Sequence, residues 1–165
     1  MIIRPENPKD IPGIRSLVTA AFQDAPHSDG NEAGIVDALR VDGVLTVSLV
    51  AEDEGKIVGH VAFSPVAVNS QDVRWFGLGP VAVLAERRRG GIGAALIEAG
   101  LKRLKELGAR GCVVLGEPAY YRRFGFESDP RLRFANALPE HFQRLVINGD
   151  PPQGVVNYHP AFSAS

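Results

Sequence analysis

Hydrophobic and polar positions divide this chain of 165 residues into helical and extended segments. After a short apolar strand at 2–4, Asn7 and Pro8 predict a helix start, because asparagine caps helices and proline suits their first turn. Apolar residues then recur every three or four positions, which predicts one buried helix face. Its members are Ile11, Ile14, Leu17, Val18, Ala21 and Phe22. The polar stretch 24–31 predicts a loop, and residues 35–39 a second, shorter helix that ends before Gly43.

After residue 44 the spacing of apolar residues changes from that of helices to that of β-strands. Segments 45–51 and 56–68 are rich in β-branched side chains, and the acidic turn between them predicts a hairpin. A third extended segment, 73–83, contains Gly79 and Pro80. Because proline lacks an N–H and glycine weakens a strand interior, we expect this strand to be bulged or splayed there.

The strongest helical signal lies at 91–107, and a buried apolar strand at 112–115 follows it. A strand–helix–strand unit of this kind implies that the two strands run parallel. Further along, the sequence predicts a short helix at 117–124 and the start of a strand at 125–127. It also predicts a terminal hairpin formed by segments 143–147 and 154–158. The predicted fold class is therefore α/β, or mixed α+β, with a mostly antiparallel sheet in one domain spanning 1–165.

Composition excludes several function classes. With 18 basic and 19 acidic residues the formal net charge is −1, so the broad positive field that general nucleic-acid binding needs is missing. The chain has neither a long apolar run nor a secretory pattern, and we expect a cytoplasmic protein without a membrane partner. One cysteine, Cys112, excludes an internal disulfide, and four scattered histidines argue against a metal site.

A glycine-rich turn, Arg87-Arg88-Arg89-Gly90-Gly91-Ile92-Gly93, joins the broken strand to the strongest helix. The first N–H groups of a helix have no intrahelical partner, and glycines let an anion approach them. The turn therefore indicates pyrophosphate binding, although a solvated arginine face is the alternative reading of the same residues. A triphosphate-binding Gly-Lys-Ser/Thr sequence is absent, and the dinucleotide pattern at 77–82 continues as a strand where it needs a helix.

Three segments taken together resemble the GNAT superfamily of acetyl-CoA-dependent N-acetyltransferases. They are Arg88-x-x-Gly91-x-Gly93, the preceding Leu78-Gly79-Pro80-Val81-Ala82-Val83, and Tyr121-Arg122-Arg123-Phe124-Gly125-Phe126. Segments 59–65, 115–121 and 158–162 are similar to the YhbS-like branch of that superfamily. The resemblance implies a bent sheet in which strands 75–83 and 111–115 diverge into a V that holds acetyl-CoA.

The resemblance also assigns residues to the coenzyme. Backbone groups of the splayed strand would pair with pantetheine and polarise the thioester, while amides of the turn would hold the pyrophosphate. The positions that match are Val81, Ala82, Val83, Arg88, Arg89, Gly90, Gly91, Ile92, Gly93, Ala94 and Tyr121.

Tyr121 matches the tyrosine that commonly protonates the departing thiolate in this superfamily, and a phenol is protonated at neutral pH. The alternative role is aromatic packing. Many members carry an acid on the fourth strand as the base, but 75–83 contains none. Glu117 and His60 are the candidate bases instead, and a helix-cap acid and a buried strand histidine are the alternative interpretations.

The predicted reaction is direct transfer of an acetyl group from acetyl-CoA to a primary amine of a small molecule or peptide, without a metal. The alternative is an acyl-CoA-binding sensor or interaction module that does not turn over. The acids Asp24, Asp29, Glu32, Glu52 and Asp53 could attract a cationic amine, but solvated loop charge is the preferred explanation. A homodimer is compatible with the sequence, and the choice between acetyl and longer acyl donors is open.

Overall fold

The computed structural model describes residues 1–23, 28, 30–135 and 137–163. Most of the predicted loop at 24–31 lies outside the described residues. The strands are β1 (Ile2–Pro5), β2 (Val47–Asp53), β3 (Lys56–Val68), β4 (Gln71–Val83), β5 (Gly111–Leu115), β6 (Leu132–Arg133), β7 (Phe142–Val146) and β8 (Gly154–Asn157). The helices are α1 (Ile11–Phe22), α2 (Glu32–Val41), α3 (Ile92–Glu106) and α4 (Pro118–Tyr121).

The sheet has the order β1-β2-β3-β4-β5-β7, and β8 pairs with β3 and with β6. Along the main path every pair is antiparallel except β4 and β5, which run parallel and are joined by α3. The predicted fold class, a mostly antiparallel sheet with a parallel crossover and flanking helices, is confirmed.

The start of α1 follows its sequence signal. The Asn7 side chain accepts a hydrogen bond from the Lys9 N–H, and Asp10 reaches back to the Asn7 N–H, which completes a capping box. A single 3₁₀ turn at Pro8–Asp10 therefore precedes α1.

Strand β4 bends at Gly79 and separates there from β5. Across β3, Val61 faces Val81 and Phe63 faces Leu78, so Ala62 stands opposite both Gly79 and Pro80 in a β-bulge. Gly79 has φ 141°, a conformation that favours glycine. The pairing of β4 with β5 runs from Trp75 to Leu78 only. Beyond Leu78 the outer edge of β4 has no partner strand among the described residues.

Helices cover both faces of the sheet. On one face, α3 comes very close to β3, because a Cβ at Gly59 would lie 2.8 Å from Ile92 Cγ2. On the other face, α1 and α2 bury an apolar cluster with Val50 and Ala82. Because α3 and α1 pack on opposite faces, the first residues of α3 and the C-terminal end of α1 lie on opposite sides of the bent part of β4.

The predicted terminal hairpin is wrong. Strand β7 pairs with β5, while β8 pairs with β3 and β6. The residues between them include Pro151 and Pro152, which have no N–H for a ladder, and each strand instead uses a free edge elsewhere in the sheet.

The strand predicted at 125–127 is reduced to one bridge between Glu127 and Arg144. Gly125 has φ 98° and ends the preceding 3₁₀ turn, so extended backbone is available only from Phe126 onward. No helix within the described ranges is long and apolar enough to cross a membrane.

Candidate active site

A cavity of about 770 Å³ lies beside the unpaired edge of β4. Five segments of the described chain line it: the C-terminal end of α1, the end of β4 with the turn that follows it, the glycine-rich turn, the first residues of α3, and the segment around α4. Except for Gly90, all the residues predicted to hold the coenzyme line this cavity: Val81, Ala82, Val83, Arg88, Arg89, Gly91, Ile92, Gly93, Ala94 and Tyr121. Phe22, Tyr120 and Arg123 are lining residues that the sequence analysis did not assign to the coenzyme.

The turn presents a row of backbone donors to the cavity. Arg89 and Gly91 have φ 67° and 83°, which turns the chain sharply into α3. The first intrahelical bond runs from the Ala95 N–H to the Gly91 carbonyl at 3.0 Å. The N–H groups of Ile92, Gly93 and Ala94 precede that bond and have no partner among the described residues. With the positive end of the helix dipole, they form an anion-binding position.

The arginines of the turn have different tasks. Arg87 binds Asp53 at 2.6 Å, and this hydrogen bond holds the pKa of the Asp53 carboxyl below its usual value. Arg88 donates to the Val83 carbonyl at 3.3 Å and to the Ala21 carbonyl at 2.8 Å, so its guanidinium connects β4 to α1. Arg89 forms no hydrogen bond or ion pair within the described part of the chain. Its charge is therefore available to a ligand in the cavity.

Tyr121 is held by aromatic contacts and by a glycine. Its ring meets Tyr120 edge to face at a centroid distance of 5.0 Å and Phe126 at 6.0 Å. A Cβ at Gly116 would lie 2.5 Å from Tyr121 Cε2, so only glycine leaves room for the ring. Burial, with smaller contributions from Tyr120 and Cys112, raises the pKa of Tyr121 to about 12. The phenol is therefore protonated throughout the physiological pH range.

Tyr120 has a different environment. The Arg123 guanidinium carbon lies 4.4 Å from the centroid of its ring, and Arg123 Nε donates to the Tyr120 carbonyl at 3.0 Å. This cation–π contact fixes a positive charge at the wall of the large cavity.

A second cavity, of about 380 Å³, meets the first at three shared residues, Phe22, Val81 and Tyr121. It lies where β4 and β5 separate, and Leu78, Gly79, Pro80 and Leu115 from these strands line it. The opening in the sheet therefore connects two chambers, and Tyr121 lies at their junction.

The two candidate bases are not part of either lining. Glu117 is exposed and stands at the N-cap of α4, where its side chain makes no capping hydrogen bond. His60 is fully buried under α1 and α2. The structure thus brings Tyr121 together with the predicted coenzyme residues, but it does not bring Glu117 or His60 to them.

His60 belongs to a buried polar cluster. Its Nε2 lies 2.8 Å from Ser48 Oγ, and Ser48 in turn donates to Glu6, which pairs with Arg40 at 3.0 Å. Because a carboxylate only accepts, the Ser48 hydroxyl proton points to Glu6 and His60 Nε2 must donate to Ser48. His60 Nδ1 has no partner among the described residues. Burial lowers the pKa of His60 to about 4, so the imidazole is neutral.

Cys112 is buried, and burial alone raises the pKa of its thiol well above the usual range. A buried, protonated thiol is a small apolar core residue rather than a nucleophile.

A split sheet with an anion-binding turn at the strand–helix junction defines an acyl-CoA acyltransferase architecture. Residues 2–128 match the model of the acetyltransferase (GNAT) domain family. The chain is 43% identical over 171 residues to the uncharacterized N-acetyltransferase YhbS of Escherichia coli K12, with 99% of each chain covered. The protein is therefore a member of the GNAT acetyltransferase family, and the resemblance identified in the sequence is confirmed.

Two solved structures extend this similarity to bound coenzyme. A GNAT family acetyltransferase from Brucella melitensis in complex with acetyl-CoA is 48% identical, with a TM-score of 0.89 and coverage of 98% of this chain and 97% of that one. Escherichia coli YhbS in complex with CoA is 39% identical, with a TM-score of 0.90 and coverage of 99% and 92%.

Proposed function

We propose that this protein transfers the acetyl group of acetyl-CoA directly to a primary amine. The observation that carries the proposal is the junction of the two cavities at Tyr121 and Val81. A coenzyme in the larger cavity and an amine in the smaller one meet at that junction, next to a phenol whose pKa is about 12.

The larger cavity suits each part of the coenzyme. The unpaired amides at 92–94 bind the pyrophosphate, and Arg89 adds a formal charge. The free edge of β4 at 81–83 offers peptide groups to the amides of pantetheine, as a neighbouring strand would. The complexes of the two solved relatives with acetyl-CoA and CoA support this placement.

The chemistry needs one nucleophile, one oxyanion donor and one acid. The neutral amine attacks the thioester carbon, and a backbone N–H of the β4 edge stabilises the developing oxyanion. The carbon–sulfur bond then breaks, and the Tyr121 hydroxyl gives its proton to the departing thiolate. The attacking nitrogen releases one proton as it becomes an amide, and this proton restores the phenol. The proton that the ammonium loses before attack leaves through the open side of the smaller cavity.

One observation favours the alternative, a binding module without turnover. The described part of β4 that lines the two cavities carries no acid, and neither Glu117 nor His60 lines them. Tyr121 favours the interpretation as an enzyme. A protonated phenol at the junction of the two cavities can act as an acid in acetyl transfer, whereas binding without turnover does not require one.

A thiol-release assay tests the proposal. Purified protein is incubated with acetyl-CoA and a panel of small primary amines, and the acetylated product is identified by mass spectrometry. Equimolar release of CoA and N-acetylated amine is the expected result. If acetyl-CoA binds but no amine is acetylated, the protein is a binding module. A parallel series with propionyl-CoA and butyryl-CoA measures the preference for the acyl donor.

A further inference from the structure

The smaller cavity differs from the larger one in the chemistry of its lining. Rings from Phe134, Tyr158 and Phe162 form one wall, and the Tyr158 ring lies at centroid distances of 5.0 Å from Phe134 and 5.3 Å from Phe162. Leu115, which is 47% exposed, lies on the same lining. This arrangement gives the cavity an aromatic wall and an apolar rim.

Glu32 brings a formal negative charge to this apolar space. Among the described residues that line the smaller cavity, Glu32 is the one with a charged side chain. It is the first residue of α2, and the Ser28 hydroxyl donates to its Oε1 at 2.6 Å. The Ser28 bond orients the carboxylate, and Oε2 has no partner among the described residues.

We infer that the smaller cavity selects a small primary amine with an aromatic or bulky apolar body and a single positive charge, an arylalkylamine in chemical terms. This inference rests on the proposed function and names its acceptor class. Glu32 binds the ammonium group before the proton is lost, while the wall of Phe134, Tyr158 and Phe162 binds the body.

Charge and size both lead to this class. An alkylammonium with a pKa near 10 is charged at neutral pH, and one carboxylate in an apolar cavity compensates one such charge. A polyamine would bring further ammonium groups against aromatic rings without additional carboxylates from the described lining. A volume of about 380 Å³ holds a ring and a short chain, with the amine near Tyr121.

The apolar wall also determines how much more tightly an amine with an aromatic ring should bind than a polar amine. Each buried methylene contributes about 0.8 kcal/mol, which is roughly a fourfold change in affinity. A phenyl ring in contact with three aromatic side chains therefore favours 2-phenylethylamine over ethanolamine by at least about tenfold.

Binding and turnover are measured separately, so that the inference and the proposed function fail in different ways. Affinities of 2-phenylethylamine, ethanolamine and spermidine for the protein saturated with CoA come from ligand-detected NMR titrations, and kcat/KM comes from the thiol-release assay. We expect 2-phenylethylamine to bind at least tenfold more tightly than the other two. If it binds so but is not acetylated, the inference stands and the proposed transfer fails. Equal or tighter binding of ethanolamine or spermidine overturns the inference.

Two variants locate the recognition. Glu32→Gln should raise the dissociation constant and KM for 2-phenylethylamine about tenfold, with the affinity for CoA unchanged, while Glu106→Gln on the exposed end of α3 is the matched control. Phe134→Leu should weaken binding of 2-phenylethylamine more than that of ethanolamine. CoA affinity reports whether each variant is folded. An unchanged amine preference in both folded variants would overturn the assignment.

Discussion

The Tyr121 ring packs directly against Gly116. It occupies the space that a side chain at Gly116 would need, because a Cβ there would lie only 2.5 Å from Tyr121 Cε2. Gly116 follows β5 directly, and Tyr121 ends α4, so this contact fixes the phenol relative to the sheet. The glycine therefore positions the proposed acid without touching substrate.

The first prediction concerns this pair. Gly116→Ala should lower kcat about tenfold or more, because the added methyl displaces the Tyr121 ring from the junction, while acetyl-CoA affinity changes little. Tyr121→Phe should lower kcat about 100-fold, in the range of lost acid catalysis. In the double variant the losses should not add, because Gly116 acts through the Tyr121 hydroxyl. Fully additive losses in kcat would assign Gly116 a separate role.

The second prediction is the pH profile. Since the pKa of Tyr121 is raised to about 12, the phenol stays protonated as the pH rises, whereas the amine acceptor gains its reactive neutral form. The value of kcat/KM for the amine should increase with pH up to the pKa of that amine and then level off. It should show no decrease between pH 9 and about 10.5. A decrease in that range in the wild type that disappears in Tyr121→Phe would show that the phenol ionises much earlier than its burial implies.

The third prediction separates two adjacent arginines. Arg88 donates to two backbone carbonyls, whereas Arg89 has no partner among the described residues. Arg88→Ala should lower the free energy of unfolding by about 1 kcal/mol, the usual value of such hydrogen bonds. Arg89→Ala should leave stability unchanged and raise the dissociation constant for CoA several-fold at low salt.

Salt provides the control for this pair. Screening weakens interactions between exposed charges, so the effect of Arg89→Ala on CoA affinity should shrink at an ionic strength of about 1 M. Chemical denaturation and calorimetric titration measure the two quantities. If Arg89→Ala destabilises the fold and Arg88→Ala affects only CoA, the two assignments are reversed.

The fourth prediction concerns the backbone of the turn. Gly91 has φ 83° with open space around its Cβ position, so Gly91→Val strains the turn and disorders the amides at 92–94. CoA affinity should drop at least tenfold. Gly55→Val is the matched control, because Gly55 has φ 78° and equally open surroundings in the β2–β3 turn.

Both glycine variants should lose similar amounts of stability, since the backbone strain is of the same kind. Only Gly91→Val should lose CoA affinity. Equal CoA affinity in the two variants would contradict the anion-binding role of the turn.

The fifth prediction is a pH dependence of stability. The pKa of His60 is about 4 in the folded protein and near 6.5 when unfolded, so between these values the unfolded chain binds more protons. The contribution of the neutral His60 to the free energy of unfolding should be fully present above pH 6.5. This contribution should be lost as the pH falls toward 4, which lowers the free energy of unfolding by up to about 3 kcal/mol. Burial raises the pKa of the Glu6 carboxyl, but the hydrogen bonds from Arg40 and Ser48 and the charge of Arg40 together outweigh it, so the net pKa is lowered and Glu6 adds its own loss of stability below about pH 4.5.

His60→Gln tests the assignment, because its amide keeps a donor toward Ser48 and carries no titrating group. The variant should lose less stability between pH 6.5 and 4.5 than the wild type. Urea unfolding at a series of pH values gives the comparison. Identical curves for His60→Gln and wild type would show that other groups cause the acid sensitivity.

Local chemistry explains which features could be predicted from the sequence. The cap at Asn7, the bulge at Gly79 and Pro80, and the turn before α3 depend on residues close together in the chain, and the structure has all three. The partners of β7 and β8 depend on which sheet edges remain free after the rest of the chain has folded, and no local pattern contains that information.

The same distinction applies to the site. The larger cavity is built mainly from one continuous strand–turn–helix unit, and its residues were recognisable. The smaller cavity takes residues as distant as Phe22 and Phe162, and its wall forms only when the C-terminal segment packs on β3 and β4. For His60, its position in a strand predicts burial, but its partner Ser48 on β2 and the Glu6–Arg40 ion pair beyond Ser48 come from other elements.

The separation of β4 from β5 after Leu78 leaves a length of strand whose peptide groups lack a neighbour inside the molecule. A ligand with its own amide groups that fills the opening acts as a substitute strand and closes the ladder. It follows that resistance to unfolding and proteolysis should rise with the concentration of the coenzyme, since whatever binds only the folded form stabilises it by mass action. Part of the rigidity of this protein would then come from the molecule that it consumes.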